Sequence, residues 1–144
     1  MKLKQLDRLI DYRRRIERER AVVLREAVDE QEYRRQRWET ALEARRQAQE
    51  NLRRFDSRVA EELRRDHEHL IKTSEVIEHM KQSLRNASQK VDEETQALIE
   101  ARREVKLVEV LMQRQARRDQ QESRRKEQRS NDEFVTRSHY KKNT

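Results

Sequence analysis

The sequence predicts an all-α fold, a two-helix antiparallel coiled-coil hairpin with an overhanging C-terminal helix. Three observations predict it. The 144 residues include no glycine and no proline, so the usual helix breakers are absent. Charged residues make up 45% and apolar ones 32%, against about 25% and about 45–50% in an ordinary globular domain. Such a chain cannot fill a thick core, but its Arg, Glu, Gln, Ala and Leu are strong helix formers that can share a narrow seam. Third, Leu63, Leu70, Ile77, Leu84, Val91, Leu98, Val105 and Met112 form an unbroken apolar row, seven residues apart.

The first helix is expected over about 1–55. Leu3, Leu6 and Ile10 open its apolar stripe, with Leu9, Ile16 and Val23 beside them. The stripe continues through Leu24, Ala27, Trp38, Ala41, Ala48, Leu52 and Phe55, and Arg34 and Arg45 also fall in it. Their aliphatic stems can lie along a seam while the charged heads stay in water. The tip is expected at about 56–63, where Asp56 and Ser57 can each cap a helix by accepting backbone N–H groups. A rival turn at Ser83–Ser88 would fall inside the unbroken row and is rejected.

The second helix is expected over about 64–138, with its seam over 63–112. The companion row three residues on is mixed: Asp66, Thr73, Met80, Ala87, Glu94, Ala101, Val108 and Gln115. A seven-residue repeat sustained this long demands a left-handed supercoil against another helix. The first helix and the 63–112 seam of the second match in length, at about 1.5 Å per residue, so the second can fold back along the first in a single elongated domain. Beyond Met112 the row stops: between Gln113 and Glu133 only Ala116 is apolar. Arg117, Arg118, Arg124, Arg125, Lys126 and Arg129 fill this stretch among Gln, Glu and Asp. It can stay helical through propensity and ion pairs, but it has no seam to bury and should overhang. Phe134, Val135 and Tyr140 follow as isolated apolar residues.

Composition excludes most chemistry. With no cysteine there is no thiolate nucleophile, disulfide or Cys-ligated metal. No Gly-rich loop cradles phosphate. His67 and His69 flank Glu68, but residues two apart point to opposite sides of a helix, and zinc-binding pairs use a spacing of four. No enzyme activity, cofactor or metal is expected. The longest apolar run, Ala21-Val22-Val23-Leu24, is far short of a membrane span or signal peptide, so a cytosolic protein is expected. The net charge of +7 attracts polyanions in principle. Interleaved acids and bases, however, describe a solvated helix face rather than a nucleic-acid footprint. Trp38, with Tyr33 one turn before it, is read as seam packing, with a partner contact as the alternative because Trp and Tyr are over-represented in binding hot spots.

The architecture resembles the stalk proteins of type III secretion systems, the FliJ family of flagella and its YscO or SctO counterparts in injectisomes. Phe55-Asp56 sits where injectisome members leave the first helix. Arg114-Gln115-Ala116, then Gln128 onward to Asp132-Glu133-Phe134, looks like the flagellar ending. The resemblance implies a non-enzymatic stalk that links the export ATPase hexamer to the cytoplasmic ring of the export gate, promotes protein export and in some members binds export chaperones. It implies a location in the bacterial cytoplasm, peripheral to the inner-membrane apparatus. The end carrying both termini would enter the ATPase ring, which makes Lys2, Lys4, Arg8, Arg117, Arg118, Arg124, Arg125 and Arg129 the candidate ATPase-binding residues. The positions matching the flagellar gate contact are Leu70, Ser74, Ile77 and Lys81. Leu70 and Ile77 are therefore the candidate gate-binding residues, although both also lie on the seam. A monomer is expected. Two rivals stand beside this reading: a generic coiled-coil scaffold, dimerising in parallel as one long helix, and a nucleic-acid-binding helical protein.

Overall fold

The structure is a computed structural model that describes residues 2–54 and 59–142. It consists of two α-helices, α1 (Leu3–Arg54) and α2 (Ala60–Lys142), with no strand among the described residues. Phe55, Asp56 and Ser57, where the tip and its caps were expected, lie outside the described residues. The sequence placed the start of the second helix near 64; the helix already runs from Ala60.

The helix ends follow local chemistry. At the start of α1 the carbonyl of Lys2 accepts the backbone N–H groups of Gln5 and Leu6, while the Gln5 side-chain oxygen accepts the Lys2 backbone N–H at 3.3 Å. That return bond is half of a capping box. At the start of α2 the carbonyl of Val59 accepts from Glu62 and Leu63. Glu61 and Glu62 occupy the first turn of α2, and His139, Lys141 and Lys142 the last, so both ends complement the helix dipole.

Packing falls into two units, Met1–Arg18 with Glu100–Thr144 and Glu19–Ile99. In each unit α1 and α2 run antiparallel. In the first, Arg13 faces Glu104 at 3.9 Å and Glu17 faces Arg102 at 3.9 Å. Leu6, Ile10, Ala101, Val105 and Val108 are its buried apolar residues. In the second, cross-helix pairs step up α1 and down α2. They are Arg20 with Glu94 at 3.9 Å, Gln31 with Ser88 at 2.9 Å, Arg34 with the Ser83 carbonyl at 3.1 Å and Arg45 with Ser74 at 3.4 Å. Its buried apolar residues are Ile77, Ala87 and Leu98. Ser83 and Ser88 sit inside α2 as seam partners rather than at a turn.

The α2 row behaves as a seam. Ile77, Leu98 and Val105 are buried, Leu70, Leu84, Val91 and Met112 half-buried, and only Leu63 is exposed. The whole companion row is at least half-buried, including its polar members Asp66, Thr73, Glu94 and Gln115. The α1 side shows a heptad of its own. Leu3, Ile10, Glu17, Leu24, Gln31, Trp38, Arg45 and Leu52 form one row, and Leu6, Arg13, Arg20, Ala27, Arg34, Ala41 and Ala48 the other. All are at least half-buried except Arg20. Each polar member of these rows reaches a polar group on α2, which keeps charge inside a thin seam at tolerable cost. The heads of Arg34 and Arg45 therefore cross to α2 rather than reaching only for water. Trp38 packs half-buried in the seam, its indole Nε1 buried without an acceptor among the described residues.

Outside the seam, Glu32 pairs with Arg35 and Glu43 with Arg46. The bond from the Arg35 guanidinium holds the Glu32 carboxyl below its usual range and raises Arg35 in turn. This pair supports the helix above the ordinary carboxylate pKa and loses that support as the pH falls through the lowered value. Both side chains are about half exposed, so solvent screening keeps the contribution minor.

Glu94 is the one buried charge, 8% exposed, among the described residues. Lys90 lies 3.2 Å from Oε1 and Arg20 3.9 Å from Oε2, and Oε2 accepts no hydrogen bond. A buried carboxylate so incompletely bonded costs more desolvation than its pairing returns. Half of the Arg20 side chain is exposed, so it can return to water. Glu94→Leu is therefore expected to stabilise the protein by about 1–2 kcal/mol, read as a higher midpoint in thermal unfolding followed by circular dichroism. A lower midpoint would show that the pairing outweighs the desolvation.

Candidate partner-binding surfaces

Past the seam, α2 goes on alone. Met112, Gln115 and Asp119 are the last half-buried positions, and every residue from Gln120 to Lys142 is exposed. Gln115 donates to Asp119 at 3.0 Å, closing the seam with a polar bond. Arg117, Arg118, Arg124, Arg125 and Arg129 are all exposed on this stretch, as are Lys2, Lys4 and Arg8 at the start of α1. Both groups belong to the same packed unit, and the register of the cross-helix pairs places the first turn of α1 level with Gln115. The α1 basic residues therefore stand beside the root of the overhang. Phe134, Val135 and Tyr140 are also exposed near its end.

Within the second unit, Leu70 and Ile77 have different surroundings. Ile77 is 2% exposed and belongs to the core. Leu70 is half-buried and lines a groove of about 580 Å³ with Gln49 of α1 and His67, Ile71, Ser74, Glu75, Glu78 and His79 of α2. Ile71, half exposed, gives this groove an apolar outer wall. Ile71 was not singled out in the sequence because it lies outside both seam rows. No cluster of potential metal ligands forms among the described residues. His67 and His69 are both exposed. Among the described residues no helix is long and apolar enough to cross a membrane.

A second apolar surface lies outside both seam rows. Leu107, Val110 and Leu111 are exposed there on α2. The signal was present in the sequence: between Val105 and Met112 only Lys106 and Glu109 are polar. Two seam rows cannot use that many apolar residues in one short stretch.

The model of the flagellar FliJ protein family matches residues 1–144, the whole chain. The chain belongs to the FliJ family. FliJ is a structural stalk family of flagellar and type III export. No curated protein and no solved structure matches the chain. The FliJ helical hairpin therefore stands here on the chain's own packing and on the family match.

Proposed function

We propose that this FliJ-family chain is the stalk that couples an export ATPase hexamer to the cytoplasmic ring of the export gate and so promotes protein export. The observation that carries the reading is the overhang. From Gln120 onward α2 has no facing helix, yet it remains helical and exposes arginines interleaved with acids and amides. Such a surface suits a polar ring interior. Alternating charge lets many weak contacts form and break without one deep minimum. An asymmetric helix within a ring of like subunits meets each of them differently, so tilting or turning it biases their states. That bias is the coupling.

Lys2, Lys4 and Arg8 join Arg117, Arg118, Arg124, Arg125 and Arg129 as the ATPase-facing set in this proposal. The gate is assigned to the groove beside Leu70. Ile77 supports that groove from the core, and Ile71 offers the apolar contact. The protein works in the bacterial cytoplasm at the inner-membrane apparatus, as a monomer, and export chaperones are further candidate partners. Antiparallel pairing within one chain favours this reading over a parallel scaffold dimer, because the seam is already occupied by the chain's own first helix.

The absence of cysteine makes a direct test simple. A thiol-reactive crosslinker on Ser123→Cys is expected to capture the ATPase and not the gate ring. The same reagent on Ile71→Cys is expected to capture the gate ring and not the ATPase. Capture of neither partner from either position would remove the proposal.

A further inference from the structure

We infer that the outer face of α2 around Leu107, Val110 and Leu111 is a docking strip for an amphipathic partner helix whose apolar stripe is bordered by carboxylates. Its position is what makes the stretch unusual. Val105 and Val108 are 6% and 4% exposed in the seam, while Leu107, Val110 and Leu111 are 58%, 43% and 45% exposed outside it. A helix that is apolar all round is ordinarily enclosed on all sides. Here α1 covers one side only. The three outer residues are spaced i, i+3 and i+4, so they share one stripe, and that spacing is how one helix reads another.

Charge says what covers it. Arg103 lies one turn before Leu107, Lys106 one turn before Val110, and Arg114 one turn after, and all three are exposed. No ion pair among the described residues engages them. Two of the neighbouring acids are used inside the hairpin, Glu104 facing Arg13 at 3.9 Å and Glu109 facing Arg14 at 3.7 Å, while Glu100 is exposed beyond the Arg103 end of the strip. The stripe is thus framed by unpaired cations, with two of its nearest carboxylates turned to α1. A second copy of this chain would bring the same cations against them and be repelled. A partner helix with Asp or Glu beside its apolar stripe would bury Leu107 and Leu111 and neutralise Arg103, Lys106 and Arg114 together. From Arg103 to Arg114 the strip spans about 17 Å, roughly three turns of such a helix. The strip lies outside the arginines assigned to the ATPase, so it stands or falls independently of that assignment.

The test uses the full chain and two synthetic helical peptides of about eighteen residues, long enough to cover the strip. They carry the same leucine stripe, bordered by Glu in one and by Lys in the other. Fluorescence anisotropy is expected to show binding of the Glu peptide at least tenfold tighter than of the Lys peptide, weakening as salt rises. Leu107→Gln with Leu111→Gln is expected to lower Glu-peptide affinity at least tenfold with helicity unchanged, since both sites are exposed and Gln is a good helix former. Arg103→Glu with Arg114→Glu is expected to invert the preference toward the Lys peptide. Equal affinity for the two peptides, or no loss in the leucine variant, would overturn the inference. So would sedimentation showing a dimer of the native chain that the leucine variant does not form, because the occupant would then be a second copy.

Discussion

Replacing Arg117, Arg118, Arg124 and Arg125 together by glutamate is expected to return a stimulated export ATPase to its basal rate while leaving the helix content of the stalk unchanged. The four side chains are exposed, and the root of the overhang is the last place where α2 touches α1. None of the four contributes to the seam, and glutamate matches arginine in helix propensity, so the hairpin should fold as before. The surface changes completely, with four cations becoming four anions over two to three turns. A ring interior complementary to the native pattern would then face like charge at several subunits at once. Repulsion of that kind costs several kcal/mol in a partly dehydrated contact. The ATPase rate and circular dichroism on the same preparation check it. Stimulation that persists with native helicity would show that the arginines are a solvated face and nothing more.

The second large effect is expected at Val108. Val108→Asp should destabilise the unit formed by the start of α1 and the C-terminal half of α2 by about 3–5 kcal/mol, because a carboxylate would replace a buried apolar side chain of the seam. The register of the cross-helix pairs sets Val108 level with Ile10, which is 5% exposed. Among its described residues that unit holds only five buried apolar side chains, Leu6, Ile10, Ala101, Val105 and Val108, so it has little stability to lose. Hydrogen exchange should show loss of amide protection over 3–18. The control lies one residue away. Leu107→Asp changes an exposed position and should move stability by less than about 0.5 kcal/mol. Equal damage from both substitutions would mean that the inner and outer faces of α2 had been assigned the wrong way round.

The two helices differ in how legible they were. The row from Leu63 to Met112 is visible because every member is apolar, and the structure keeps all but Leu63 at least half-buried. The rows of α1 follow the same spacing but were obscured, since Arg13, Glu17, Arg20, Gln31, Arg34 and Arg45 interrupt them. An apolarity count rejects Arg13, Glu17, Arg20 and Gln31, although each faces a specific polar group on α2. A partner's hydrogen-bonding group is a tertiary fact that one helix cannot announce. The same reason hides Glu94, which faces Arg20 of α1, whereas Thr73 and Gln115 are bonded one turn away within α2, to the His69 carbonyl and to Asp119. The overhang could be read from where apolar residues stop. The outer stripe at Leu107 could not be read from rows at all, because it is a surplus over what the seam requires. The difference between Leu70, open to a groove, and Ile77, closed in the core, depends on how α1 lies over α2.

The central claim is that this chain couples to an export ATPase, and its most direct test is the hydrolysis rate of a purified hexameric export ATPase titrated with this protein, with sedimentation on the same sample. The account predicts stimulation that saturates near one chain per hexamer, by a protein that sediments as a monomer. No stimulation at any ratio, from a chain that sediments as a dimer, would contradict it and assign the molecule to the coiled-coil scaffolds.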